Sequence, residues 1–238
     1  MVAPEVESRK ANGAAGNAAR TVVIGCETLR LELEEALRRT ELPYPVLWVE
    51  SGLHNTPKKL SVRLQDVLEH LPVGTDRVLF SFGSCGGSLI GVGGGNYRMV
   101  LPHVDDCISL LLGSVQARIA IADEHHGYFL TENWFTGERN LFAEYGIMVD
   151  KYGKDTADGI YEELFAHYRN IVLIDTGTYD IASLQARTCA YCSQFGLGQV
   201  IVPGTVDYLV RLLQGPWDTP EFVVKEPGEA FTEADVRL

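Results

Sequence analysis

The chain has 238 residues, 46% hydrophobic and 22% charged, ordinary values for a globular protein with room for one large α/β domain or two small lobes. Its 20 basic residues against 32 acidic ones give a net charge of −12 with no basic patch, which disfavours the phosphate-rich surfaces of nucleic acid and anionic membranes as partners. No apolar run reaches the ~20 residues that cross a bilayer, and 5 cysteines in mostly apolar settings do not read as a secreted disulfide framework, so a cytoplasmic protein handling a small-molecule ligand is expected.

Residues 1–20, rich in Ala, Gly, Asn and charge, are expected to form a disordered leader. TVVIGC is a short β-branched run, as a strand buried on both faces requires. The next segment places Leu29, Leu33, Ala36 and Leu37 on one helical stripe. Pro43 and Pro45 break that helix before a second strand, PVLWVE. Pro57 then opens a second helix with Leu60, Leu64, Val67, Leu68 and Leu71 at helical spacing. RVLFSF reads as the third strand. MVLP and ARIAIAD extend the strand series, with CISLLLGS as a short helix between them.

From Glu124 to about Gly153 the chain is aromatic and turn-rich (HHGYFLTENWF), suggesting a cover or lobe junction. Afterwards helical GIYEELFAHY, strand NIVLID, helical IASLQARTCAYCSQF, strand QVIVPG, helical TVDYLVRLLQG and strand EFVVKE follow in turn. Strands separated by amphipathic helices specify an α/β fold with a largely parallel sheet and flanking helices, compatible with two Rossmann-like lobes around a cleft. The expected divisions are a first lobe over 21–123, an aromatic connector and second lobe over 124–228, and a flexible tail over 229–238.

Four segments each end a strand with a metal-competent side chain: Cys26, His54, Cys85 and Cys107. Carboxyl ends of parallel strands converge on one edge, where ligands bind. Three thiols and an imidazole suit a tetrahedral zinc site, although soft ligands also accept copper(I) or an iron–sulfur cluster. Taken singly, each cysteine also suits a small buried hydrophobe. His103, Asp105 and Asp106 precede Cys107, and an Asp beside a metal-bound group could orient a ligand or act as a base. The competing role for Asp105 or Asp106 is to cap the CISLLLGS helix.

The loop from Phe82 to Asn96 carries 7 glycines. It matches neither a P-loop nor the dinucleotide fingerprint. Gly83, Gly86 and Gly87 could still form an anion-binding nest, with a merely flexible connector as the alternative. Cys189 and Cys192 form a CxxC inside a helix, without a second pair or a thioredoxin-like context, and read as packing. Asp175, Thr176, Thr205 and Asp207 follow later strands, where they could line the same cleft or cap helices.

The blocks CETLRLEL, GLHNTP, FGSCGG, DDCISLLLGS, GYFLTENW and LIDTGTYD, in this order, resemble the family DUF1638 from about Thr21 to Trp217. Cys26, His54, Cys85 and Cys107 match positions typical of that resemblance. The block before Cys107 departs from the expected Pro-Arg-x-His-Asp-Cys, reading Pro102-His103-Val104-Asp105-Asp106-Cys107, so His103 stands as an alternative ligand to His54. Members occur in microbes with corrinoid-dependent methyltransferase systems, and the resemblance implies a part in methyl or corrinoid metabolism. The expectation is therefore a Cys/His zinc site acting in thiol or corrinoid-linked methyl transfer, a zinc-dependent methyltransferase. The alternatives are a non-catalytic small-molecule or corrinoid binding module, and an accessory subunit partnering a corrinoid protein or methyltransferase. Homo-oligomerisation is left open.

Overall fold

The computed structural model describes residues 6–7, 20–137 and 140–238. The expected leader falls largely outside them; within its span only Val6–Glu7 and Arg20 are described, the former as a short strand, β1. The elements that follow are β2 (Thr21–Cys26), α1 (Arg30–Thr40), β3 (Val46–Val49), α2 (Pro57–Glu69), β4 (Arg77–Phe80), β5 (Arg98–Pro102), α3 (Cys107–Leu111) and α4 (Val115–His125). Next come β6 (Gly127–Leu130), α5 (Glu132–Thr136), α6 (Leu141–Tyr152), α7 (Lys154–Phe165), β7 (Asn170–Asp175), α8 (Ile181–Phe195) and β8 (Gly198–Pro203). The chain finishes with α9 (Asp207–Gln214), β9 (Phe222–Lys225) and α10 (Glu233–Val236).

The larger sheet has the order β1-β3-β2-β4-β5-β9; its four central strands are parallel and the two edges antiparallel. From β2 the chain moves through α1 to β3 on one side, then crosses through α2 to β4 on the other. The strand order therefore reverses between β2 and β4, the place where open α/β sheets leave a crevice at the carboxyl ends. Alternation along the strands fills two layers. Val22 and Ile24 pack with Leu60, Leu64, Val67 and Leu68 of α2, whereas Val23 packs with Leu33 and Ala36 of α1.

β6, β7 and β8 form a separate parallel sheet. One face, including Ile171 and Leu173, packs on Phe142, Tyr161, Phe165 and Leu184. The opposite residues, Val172 and Ile174, belong to the same core cluster as Leu33, Val100 and Leu209. The two sheets thus share an apolar layer.

Three sequence expectations change. ARIAIAD is part of helix α4, which Ser114 caps by accepting from the Ala117 N–H at 3.0 Å; the strand is GYFL, inside the stretch read as a cover. EFVVKE returns to the larger sheet, where β9 runs antiparallel to β5. The segment 229–238 is a built part of the fold rather than a loose tail: Phe231 is 1% exposed and its ring meets Phe80 edge-on at 5.7 Å.

That segment also occupies much of the glycine-rich loop. Gly91 N–H donates to Phe231 O at 2.8 Å, Phe231 N–H to Val92 O at 3.0 Å, and Gly94 N–H to Glu229 O at 2.8 Å. A Cβ on Gly93 would fall 2.5 Å from Met99 Cε and 2.7 Å from Glu229 O, so only glycine lets the tail lie this close.

Candidate functional site

The crevice at the strand reversal holds a cavity of about 190 Å³ whose lining includes Cys26, His54, Cys85, Asp106 and Cys107, with Glu50, Leu53 and Trp134 at its other walls. Each arrives on a different support. Cys26 is the last residue of β2, in register with Val49 of β3. His54 sits in the short turn between β3 and α2, its ring 5.4 Å from that of Trp134. Trp134 belongs to α5, in the aromatic stretch.

Cys85 is held by backbone contacts. Ser84 N–H donates to Val104 O at 2.9 Å and Cys85 N–H to Asp105 O at 2.8 Å, tying the loop after β4 to the segment after β5. At Gly83 the two backbones approach so closely that a Cβ would lie 2.7 Å from Asp106 N and 2.8 Å from Val104 O. This contact gives Gly83 a structural role: its missing side chain accommodates chain rather than ligand. Cys85 itself is at φ +44°, a left-handed conformation unfavourable for a side chain, and Gly86 and Gly87 continue it at +68° and +78°. The strained turn aims the Cys85 thiol into the cavity. Gly86 lines the cavity beside it; Gly87 is not among its lining residues.

Asp106 does two jobs. It caps α3 by accepting from Ser109 N–H at 3.0 Å, and it lines the cavity just before Cys107, the first residue of that helix. Burial pushes its carboxyl up, opposed by the Ser109 hydrogen bond and by Arg118. The Arg118 guanidinium stands 3.2 Å from Asp106 and 3.5 Å from Asp105.

Burial is also the main reason all three thiols are raised above the ordinary cysteine value. Cys85 feels the charges of Cys26 and Asp106, and Cys107 those of Asp106, Cys26 and Cys85, which raise them further. Cys26 donates to Thr28 Oγ1 at 3.3 Å. Burial lowers His54, with Asp106 pulling the other way. The cavity as it stands therefore holds thiols and a neutral-leaning imidazole beside the carboxylates of Asp106 and Glu50.

His103 is placed elsewhere. Its ring nitrogens face Pro220 O at 3.3 Å and Arg237 O at 3.1 Å, so it anchors the C-terminal segment and is absent from the cavity wall. Asp105 is bonded by the Ser109 hydroxyl and is also outside the lining. Thr205 accepts from Asp207 N–H at 3.0 Å in a local turn, and Asp175 accepts from Gly177 N–H at 3.0 Å. Cys189 is exposed, and Cys192 is buried in the second sheet's core. Among the described residues, no three His, Cys, Asp or Glu side chains stand in an arrangement that could hold a metal ion.

Beside the thiol cavity lies an open cleft of about 780 Å³, lined by Glu27, Arg30, Glu50, Ser51, Lys59 and Arg63 among others. Glu50 and Leu53 line both spaces. Sequence patterning gave no sign of this cleft, because Arg30, Lys59 and Arg63 read simply as the solvated faces of two amphipathic helices.

An open, doubly wound α/β sheet with a thiol-lined cavity at its switch point, and a second small parallel sheet packed on it, is the class of protein that this fold and site define. The family model described as "Protein of unknown function (DUF1638)" matches residues 48–213, and the chain belongs to that family. His54, Cys85, Asp106 and Cys107 lie within the matched stretch and Cys26 precedes it. No curated protein and no solved structure gives a significant match. No helix among the described residues is long and apolar enough to cross a membrane.

Proposed function

We propose that the switch-point cavity is a thiol-centred site that takes up a soft metal ion, zinc first, and serves group transfer to or from a small molecule lodged in the adjoining cleft. The observation that carries this is the convergence of three thiols, one imidazole and two carboxylates, from the ends of four different strands or the segments that follow them, on one cavity of about 190 Å³. Ordinary ligand pockets run from ~300 to ~1,000 Å³, so the cavity suits an ion and a few-atom group.

The donor set fits zinc by chemistry, since thiolates with an imidazole are its usual ligands. The described arrangement is not a closed ligand shell, and uptake requires the thiols to turn toward a common point. Cys26 would then exchange roles with its neighbour: as a thiolate it accepts from Thr28 Oγ1 rather than donating to it. The chemistry zinc supplies in such a site is to keep a thiol deprotonated at neutral pH, as needed for attack on an electrophilic methyl carbon. His54, partly shielded by Trp134, is the nearby proton acceptor or fourth ligand.

Elemental analysis of freshly purified, untagged protein tests this. Roughly one zinc per chain is expected in the wild type, falling by more than half in Cys85→Ser and Cys107→Ser, as loss of one of three or four ligands implies. A wild-type content well below one overturns the metal reading.

The cleft favours a second reading, a non-catalytic site for a small cofactor such as a corrinoid. A macrocycle cannot enter the thiol cavity, whereas about 780 Å³ lies within the range of ligand pockets. A melting shift with hydroxocobalamin that persists in Cys85→Ser would support it over the first.

A further inference from the structure

We infer that the cleft beside the thiol cavity binds an oxyanion, a carboxylate or phosphate group on the small molecule whose other end reaches the thiols. This deepens the reading of cavity and cleft as one site and rests on it.

Three cations and two carboxylates line the cleft, but they are not equally committed. Arg63 is engaged by Glu50 at 3.1 Å and by Asp66 at 2.8 Å. Glu50 is thereby neutralised, and Glu27 accepts from Ser51 N–H at 3.4 Å. Arg30 differs. Its guanidinium lies 4.2 Å above the Trp48 ring, and its carboxylate neighbours Glu27 and Glu34 stand 3.7 and 3.8 Å away, beyond hydrogen-bond reach. Its side chain, 34% exposed, donates no hydrogen bond among the described residues. Lys59 has no ion pair among the described residues, whereas Arg30 has these two long ones.

Arg30, held only by two long ion pairs, and Lys59, paired with no carboxylate among the described residues, thus face one concave space in a protein of net charge −12. A planar guanidinium held over an aromatic ring offers its N–H groups as a fork suited to a carboxylate or phosphate. Lys59 adds a point charge from the first turn of α2, and Leu60, the next residue, lines the thiol cavity. Adjacent residues of α2 thus contribute to the anion site and to the wall of the thiol cavity. A molecule with an oxyanion at one end and a reactive carbon at the other would span them.

The test compares alkylation by iodoacetate, which is anionic, with iodoacetamide, its neutral counterpart, read peptide by peptide by mass spectrometry. Exposed Cys189, outside the cleft, is the internal reference. The rate ratio of iodoacetate to iodoacetamide at Cys85 is expected to exceed that at Cys189 by about tenfold, the low end of electrostatic focusing in a charged cleft. Lys59→Ala and Arg30→Gln should each lower that ratio, leaving the iodoacetamide rate unchanged. Equal ratios at the two cysteines, unmoved by either variant, would overturn the anion site while leaving the thiol site standing. If Cys85 resists even the neutral reagent after bound metal has been removed with a chelator, the thiol reading fails instead, and inorganic phosphate decides the anion site. A phosphate-dependent melting shift lost in Lys59→Ala supports it, and no shift overturns it.

Discussion

Glu32 is the residue whose surroundings depart furthest from its chemistry. It is 0% exposed in the first turn of α1, with Oε1 accepting from Thr176 Oγ1 at 3.1 Å and Thr178 Oγ1 at 3.3 Å, while Oε2 has no hydrogen-bond partner. Burial raises its pKa above the ordinary carboxylate value, more than the two threonines lower it. Tyr179, beside it, is raised by burial and by the Glu32 charge. The folded state therefore holds the Glu32 proton more tightly than the unfolded chain does. That contribution to stability is complete below the unfolded pKa of ~4.3 and is lost as pH rises through the higher folded value. Glu32→Gln keeps a neutral group of the same shape and cannot titrate. From about pH 4 to about pH 8 the stability difference should move progressively in favour of the variant. Parallel pH curves from urea titrations of the two proteins would contradict this.

At the level of elements, the C-terminal segment has the strongest consequence. Sequence composition marks residues 229–238 as acidic and polar, and one phenylalanine in such a run gives no periodicity to detect. The structure gives that phenylalanine a socket against Phe80, and sets Asp235 between Lys225 and Thr232. Phe231→Ala should cost ~3–5 kcal/mol, as for a buried aromatic truncated in a core. A frayed tail would give less than ~0.5 kcal/mol, and the midpoint of chemical unfolding separates these outcomes. The same contrast explains what was legible. β2, β3, β4 and β7 are short β-branched runs with strong signals, and the cysteines that end or follow them could be placed on one edge. ARIAIAD alternates like a strand, but α4 leaves no residue fully buried, so its helical stripe was too weak to read. Alternation along an extended segment separates Asp106 from His103 and Asp105 but does not say which side meets a cavity. His103 is drawn away by Pro220, Glu221 and Arg237, long-range contacts around the return of β9 that no local pattern encodes.

For the whole molecule, the apolar layer between the sheets determines how the chain unfolds. Val172 and Ile174 of β7 and Val202 of β8 share one cluster with Val23, Leu33 and Val100, and α9 closes it by packing Leu209 and Leu212 against α1. Two lobes around a deep cleft would melt separately, whereas a shared core couples them. Of the 3 tryptophans, Trp48 and Trp217 report this cleanly once Trp134, which also packs on the smaller sheet's core, is replaced by Phe. Trp48 is in β3, Trp217 lies under the Arg77 guanidinium at 4.5 Å, and Trp134 covers the thiol cavity, so the strands of the smaller sheet carry none. Ile174→Ala removes a fully buried side chain from the smaller sheet and should destabilise by ~2–5 kcal/mol. If the core is common, the midpoint read by tryptophan fluorescence should fall with the one read by far-ultraviolet circular dichroism, in a single transition. A fluorescence midpoint left unmoved by Ile174→Ala would mean that the sheets fold independently and that the thiol cavity depends on the larger one alone.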